Sequence, residues 1–163
     1  MRIHPLLAPI FALPVALAGC INTDAAVFVE PTIESPAATV KGGALGVTIE
    51  GNFTLKLHLG PRASGPSTVK LGAFSILDAK QSAAITSVQI GTTSTQFPAT
   101  VDLDSDVTAS LPFDLGSKTL PEDPDKARLC DPAGVVIGGT IEDSLLGGST
   151  PFFSSIIHPS GCQ

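Results

Sequence analysis

From Leu45 to Leu59 the chain alternates apolar and polar positions without a break. Leu45, Val47, Ile49, Gly51, Phe53, Leu55, Leu57 and Leu59 take the odd numbers, and Gly46, Thr48, Glu50, Asn52, Thr54, Lys56 and His58 the even ones. A period of two sends the odd side chains to one face and the even ones to the other, the pattern of an antiparallel strand with one buried and one wetted face. The parity runs through Gly51-Asn52, which favours a bend or bulge in one continuous strand over a hairpin turn.

Shorter runs of the same character cover Val27 to Ile33, Val69 to Leu77, Ala84 to Ile90, Thr95 to Leu103, Val107 to Leu115, Val135 to Glu142 and Phe152 to Ile157. Turn chemistry separates them at Gly60-Pro61, Ser64-Gly65-Pro66, Asp78-Ala79-Lys80, Asp104-Ser105-Asp106 and Gly147-Gly148. About eight strands without a helical period predict an all-β chain, an antiparallel β-sandwich or a small barrel. An immunoglobulin-like sandwich enters by analogy alone. The chain has no Trp and no Tyr, so the buried Trp and tyrosine corner of true immunoglobulin domains are missing. One helical turn is predicted around Pro121 to Leu129, where Glu122, Asp123 and Asp125 precede Lys126 and Arg128 in the order a helix dipole favours.

Composition sharpens this picture. Gly and Pro number 16 and 14, which suits strands and turns, and 43% hydrophobic residues with 15% charged ones place the chain outside the disordered class. The formal charge of -6, with few Lys and Arg, argues against a nucleic-acid partner. The absence of Trp and Tyr argues against a sugar platform and removes two common interface anchors.

The N-terminus differs from everything after it. Met-Arg-Ile-His leads into an apolar run from Pro5 to Ala18 that Pro5, Pro9 and Pro14 interrupt. It is shorter than the roughly 20 apolar residues of a membrane span and reads as the apolar part of an export signal. It ends Leu17-Ala18-Gly19-Cys20, which resembles the lipobox of bacterial lipoproteins. The resemblance covers residues 1–20 alone. It implies that residues 1–19 are a signal peptide, that Cys20 is diacylated on sulfur, and that the mature chain begins at Cys20. Ordinary cleavage after Ala16-Leu17-Ala18 is the competing expectation, since those residues also fit the small-x-small rule. Ile21 stands where enteric lipoproteins retained in the inner membrane carry Asp, which implies outer-membrane delivery in a host that has one.

Residues 20–26 are then a lipidated tether, of which residues 21–26 reach at most about 20 Å, and residues 27–163 are the domain. Assigning Cys20 to lipid leaves Cys130 and Cys162 as an even pair in an oxidising compartment, where a disulfide is expected and two buried free thiols are the alternative.

Candidate chemistry is sparse. Ser67-Thr68-Val69-Lys70 matches the S-x-x-K element of penicillin-recognising enzymes, with Ser105-Asp106 and Lys118-Thr119 downstream. Here, however, the serine opens a predicted strand, on which Ser67 and Lys70 point to opposite faces. Asp102, Asp104 and Asp106 alternate like calcium ligands, yet an EF-hand loop begun at Asp102 needs Gly at 107 and Glu at 113, where Val107 and Phe113 stand. They read as a solvated strand face and turn. His58 and His158 have no second ligand at metal spacing. Asn52-Phe53-Thr54 has the form of a glycosylation acceptor, read here as ordinary strand sequence.

No cofactor is expected. The expectation is a lipid-anchored, non-enzymatic structural, adhesive or assembly component of the cell envelope. The alternative is a carrier of a small apolar ligand, with Phe53, Phe74, Phe97, Phe113, Phe152 and Phe153 lining its cavity.

Overall fold

The computed structural model of the chain describes residues 24–162. The long alternating run forms β2 (Gly46–Leu59), and its parity holds: Val47, Ile49, Phe53, Leu55, Leu57 and Leu59 are buried, and Glu50 and Asn52 are exposed. The strand continues through Gly51-Asn52. Leu45 departs from the pattern. It sits in the turn before β2 with 87% of its surface exposed, because the sheet that would cover it has ended.

Preceding it, β1 (Glu30–Gly43) pairs with β2 from Glu30↔His58 to Gly43↔Gly46. This strand is longer than the expected Val27 to Ile33. Ser35, at φ 49°, and Pro36 open a bulge between Glu34 and Ala37, and pairing resumes beyond them. A bulge absorbs the residues that punctuate the sequence without ending the strand.

The remaining elements are β3 (Ser67–Asp78), β4 (Ala84–Ile90), β5 (Ala99–Val101), β6 (Ser105–Asp114), a helical turn over Glu122–Lys126 running into α1 (Ala127–Leu129), β7 (Val135–Asp143) and β8 (Gly148–Phe153). The helical turn lies where the acidic-to-basic charge order places it, with Lys126 3.3 Å from Glu122. The expected strand Thr95 to Leu103 shrinks to three residues; Pro98, just before it, has no N–H to give a neighbour. β8 begins earlier than Phe152, since Gly148 already pairs with Asp143 across a tight turn.

All the strand pairs are antiparallel, in the order β1-β2-β6-β4-β3-β7-β8, with β5 beside β3. The all-β expectation holds. The architecture is one curled sheet in the form of a half-barrel. Its halves are joined narrowly, since β4 meets β6 through Gln89↔Asp114 and Ile90↔Phe113 alone.

The curl encloses the core. Phe53 of β2 lies 5.7 Å from Phe74 of β3 and 6.2 Å from Phe113 of β6, and Phe74 lies 5.9 Å from Phe152 of β8, measured between ring centroids. Such tilted and edge-on pairs suit the quadrupoles of the rings as well as burying their area. The segment after β8 then crosses the opening. Val135 pairs with Ile157, and Thr39 of β1 pairs with Ser160. Gly161, at φ 80°, passes so close to β1 that an added Cβ would lie 2.1 Å from the Val40 carbonyl oxygen.

Candidate functional site

Two polar constellations hold the segment through which the chain enters the domain. At the first, His58 leaves β2 directly opposite Asp106 of β6. Its Nδ1 is 2.7 Å from Asp106 Oδ1 and its Nε2 is 2.8 Å from Asp24 Oδ2. Lys56, on the same face of β2, reaches Asp106 Oδ2 at 2.9 Å. With a carboxylate oxygen at each ring nitrogen, the ring is suited to donate from both, as an imidazolium. The hydrogen bond to Asp106, and then that to Asp24, raise the His58 pKa against some loss of hydration. Asp106 is lowered by Lys56 first and by His58 second. Asp24 is lowered first by the amide of Ala26, which donates to Oδ1 at 3.0 Å, and next by His58.

At the second, Asp143 ends β7 almost fully buried. The Val29 amide donates to its Oδ2 at 2.8 Å and the Leu145 amide to its Oδ1 at 2.8 Å, while the buried Ser67 hydroxyl also donates to Oδ1. Burial pushes this carboxyl up, but the donors, led by Ser67, outweigh it and leave the pKa lowered. A carboxylate that accepts several N–H and O–H bonds is the form a desolvated acid must take to be tolerated. Residues 24–29 are thus fastened near both ends, and Ala26 and Val29 between and beside these points are buried. Of the residues expected in the tether, Asp24 and Ala26 lie against the domain. Gly60 permits this approach: a Cβ there would lie 2.6 Å from the Ala26 carbonyl oxygen.

Neither constellation is arranged as a nucleophile with a base. Ser67 is fully buried beside a carboxylate and the Ser144 hydroxyl, whereas Lys70 points out to Glu142 at 3.8 Å. The two residues of the S-x-x-K match stand on opposite faces, as strand geometry requires. His58 has both nitrogens engaged, and His158 is exposed beside Pro159. Asp102 and Asp104 belong to the turn before β6, where Asp104 has φ 53° and the Ser105 hydroxyl donates to the Asp102 carbonyl at 2.6 Å. Among the described residues no group of three His, Cys, Asp or Glu side chains is placed to hold a metal ion, and no helix is long and apolar enough to cross a membrane.

Cys130 and Cys162 are joined, with their Cα atoms 5.4 Å apart. Cys20 and the lipobox lie outside the described residues.

In the sequence His58 and Asp106 each fall on a wetted face, with no local pattern that joins them. They are 48 residues apart, and only the pairing of β2 with β6 makes them neighbours. Parity was the available signal, since both are polar positions within alternating strands. Compared with known protein families, curated proteins and solved structures, the chain finds no match.

Proposed function

We propose that this chain is a lipid-anchored, non-enzymatic structural, adhesive or assembly component of a bacterial cell envelope, attached to its membrane through acyl chains on Cys20. The observation that favours this reading over a carrier of a small apolar ligand is the closeness of the interior. Four of the rings proposed as a cavity lining, Phe53, Phe74, Phe113 and Phe152, pack on one another. A Cβ on Gly139 would lie 2.6 Å from Phe74 and 2.8 Å from Phe152, and one on Gly51 would lie 2.5 Å from Phe113. Phe153, the sixth of these rings, is 44% exposed. Backbone that leaves no room for a methyl group beside Phe74, Phe113 and Phe152 favours a packed core over a ligand chamber. The contact of Phe53 with Phe74 also supports a finer, sandwich-like reading of the curled sheet, its halves meeting face to face.

The attachment half rests on Leu17-Ala18-Gly19-Cys20 after a proline-broken apolar run, and Ile21 supports the outer membrane as destination. Stable anchoring needs two signals, which a diacylated cysteine supplies in one residue. Replacing Cys20 by Ser in the full precursor, followed by membrane fractionation, tests it. Release of the protein into the soluble fraction is expected, and unchanged membrane retention of the variant overturns the anchor.

A further inference from the structure

The entry segment carries more apolar surface than its structural role requires. Val27 and Phe28 are 43% and 42% exposed, and Leu146, from the turn between β7 and β8, is 42% exposed. They share one groove with Pro31 and Pro151, in which Glu30 is the charged member. This is not the exposure of a frayed end. Asp24 on one side is held by His58, and Val29 on the other donates to Asp143, so the two side chains between them are presented on a fixed frame.

We propose that this apolar face, formed by Val27, Phe28, Leu146 and Pro151, rests on the lipid surface to which Cys20 anchors the chain. The inference rests on the anchor reading above, and chain length argues for the occupant. Cys20 precedes Asp24 by four residues, so their Cα atoms are separated by at most about 14 Å. The patch begins at the next residues along the chain. A domain held so closely presents whatever flanks its entry point to the headgroup region, and an apolar side chain there gains by entering the outer 5–10 Å or so of the acyl boundary. The acyl chains supply attachment, and the patch sets which side of the domain faces the bilayer.

Sheet chemistry disfavours a strand from another protein as the occupant. Pro31 in β1 and Pro151 in β8 each remove an N–H from an outer strand, which blunts both edges against a new ladder. The few charges in the groove suit a neutral lipid surface, and the net acidic chain is repelled by an anionic one.

The absence of Trp from the chain makes the test direct, since a single introduced Trp is the only indole. Phe28→Trp, with Leu146→Trp as a second reporter on the same face, is made in the full acylated protein and reconstituted into phosphatidylcholine vesicles, with and without brominated acyl chains. Leu45→Trp is the control, because Leu45 is exposed at the turn end of the β1–β2 hairpin, roughly 40 Å along the strand from the entry end. Bromolipid should quench the indole at 28 or 146 and not at 45, and acrylamide quenching should be about threefold weaker at the patch than at the control. If the protein floats with the vesicles but indoles at 28 and 146 are as open to acrylamide as that at 45, the patch proposal falls and the anchor stands. If it does not float, and mass spectrometry finds Cys20 unmodified, the anchor reading falls and takes the proposal with it. Shielding at 28 seen in native envelopes but not in vesicles would assign the face to a protein and overturn the lipid assignment.

Discussion

At the scale of single residues, His58 concentrates the electrostatics of the entry segment. Asp106 and Asp24 raise its pKa above the ordinary imidazole value, so proton binding favours the folded chain. That contribution is complete below about pH 6.5 and fades as pH rises through the folded value. The aspartates run the other way. Asp24 and Asp106 are lowered from 3.8, so what they contribute is present above that value and is lost as pH falls through their folded values. Lys56 faces Asp106, and Arg62 adds a weaker pull on Asp24. His58→Gln keeps much of the bulk and the polar contacts without a titrating proton. Thermal unfolding midpoints measured from about pH 6 to 9 should fall with pH in the wild type and fall less in the variant. Equal slopes would place the titrating group elsewhere. The cluster was half legible in the sequence. Alternation gives the face on which Lys56, His58 and Asp106 lie, but a partner 48 residues away is fixed by strand order, which alternation does not report.

At the scale of elements, legibility follows the strength of the period. β2 is read almost to the residue because fifteen positions agree, and Ala84–Ile90 matches its expected run. β1 is underestimated because Pro36 and Ser35 look like an end and act as a bulge. β5 is overestimated because an apolar run with Pro98 in it offers pairing to only three residues. The central claim about β2, that its odd face is core, has a mechanical consequence. Leu55 has no exposed surface, and truncating it removes apolar contacts and leaves a cavity that rigid strands on both sides cannot refill. Leu55→Ala should cost about 2 to 5 kcal/mol in denaturant unfolding. Lys56→Ala, one residue on and facing water and Asp106, should cost far less. Matching losses from the two substitutions would contradict the assignment of faces.

At the scale of the whole molecule, the topology lay beyond the sequence. Local patterns cannot say that β4 turns from β3 to meet β6 through two residue pairs, and so cannot tell one curled sheet from two stacked ones. The cysteine count did reach this scale, because it anticipated a covalent link between distant parts. That link decides how the curl is closed. The chain after β8 lies across the opening, with the Val40 amide donating to the Ser160 carbonyl at 2.8 Å and the Ser160 amide to the Ala38 carbonyl at 3.0 Å. Hydrogen bonds at the edge of a sheet hold a terminus weakly, since termini fray unless tied. Cys162 ties it to Cys130, just after the buried Leu129 of α1, across a separation of 32 residues. By the chain-entropy argument, closing a loop of that length stabilises the fold by about 3 to 4 kcal/mol, with native-state distortion working against it. Replacing both cysteines by Ala should therefore lower unfolding stability by up to about that amount. It should also free the tail ahead of global unfolding. Hydrogen exchange read at the amides of Val40 and Ser160 should accelerate well before that of Leu55 or Ile137 in the strand interiors. If the double variant keeps its stability, or if Val40 stays as protected as the core strands, then packing of Ile157 and the Gly161 approach hold the tail by themselves and the disulfide is dispensable to the closure.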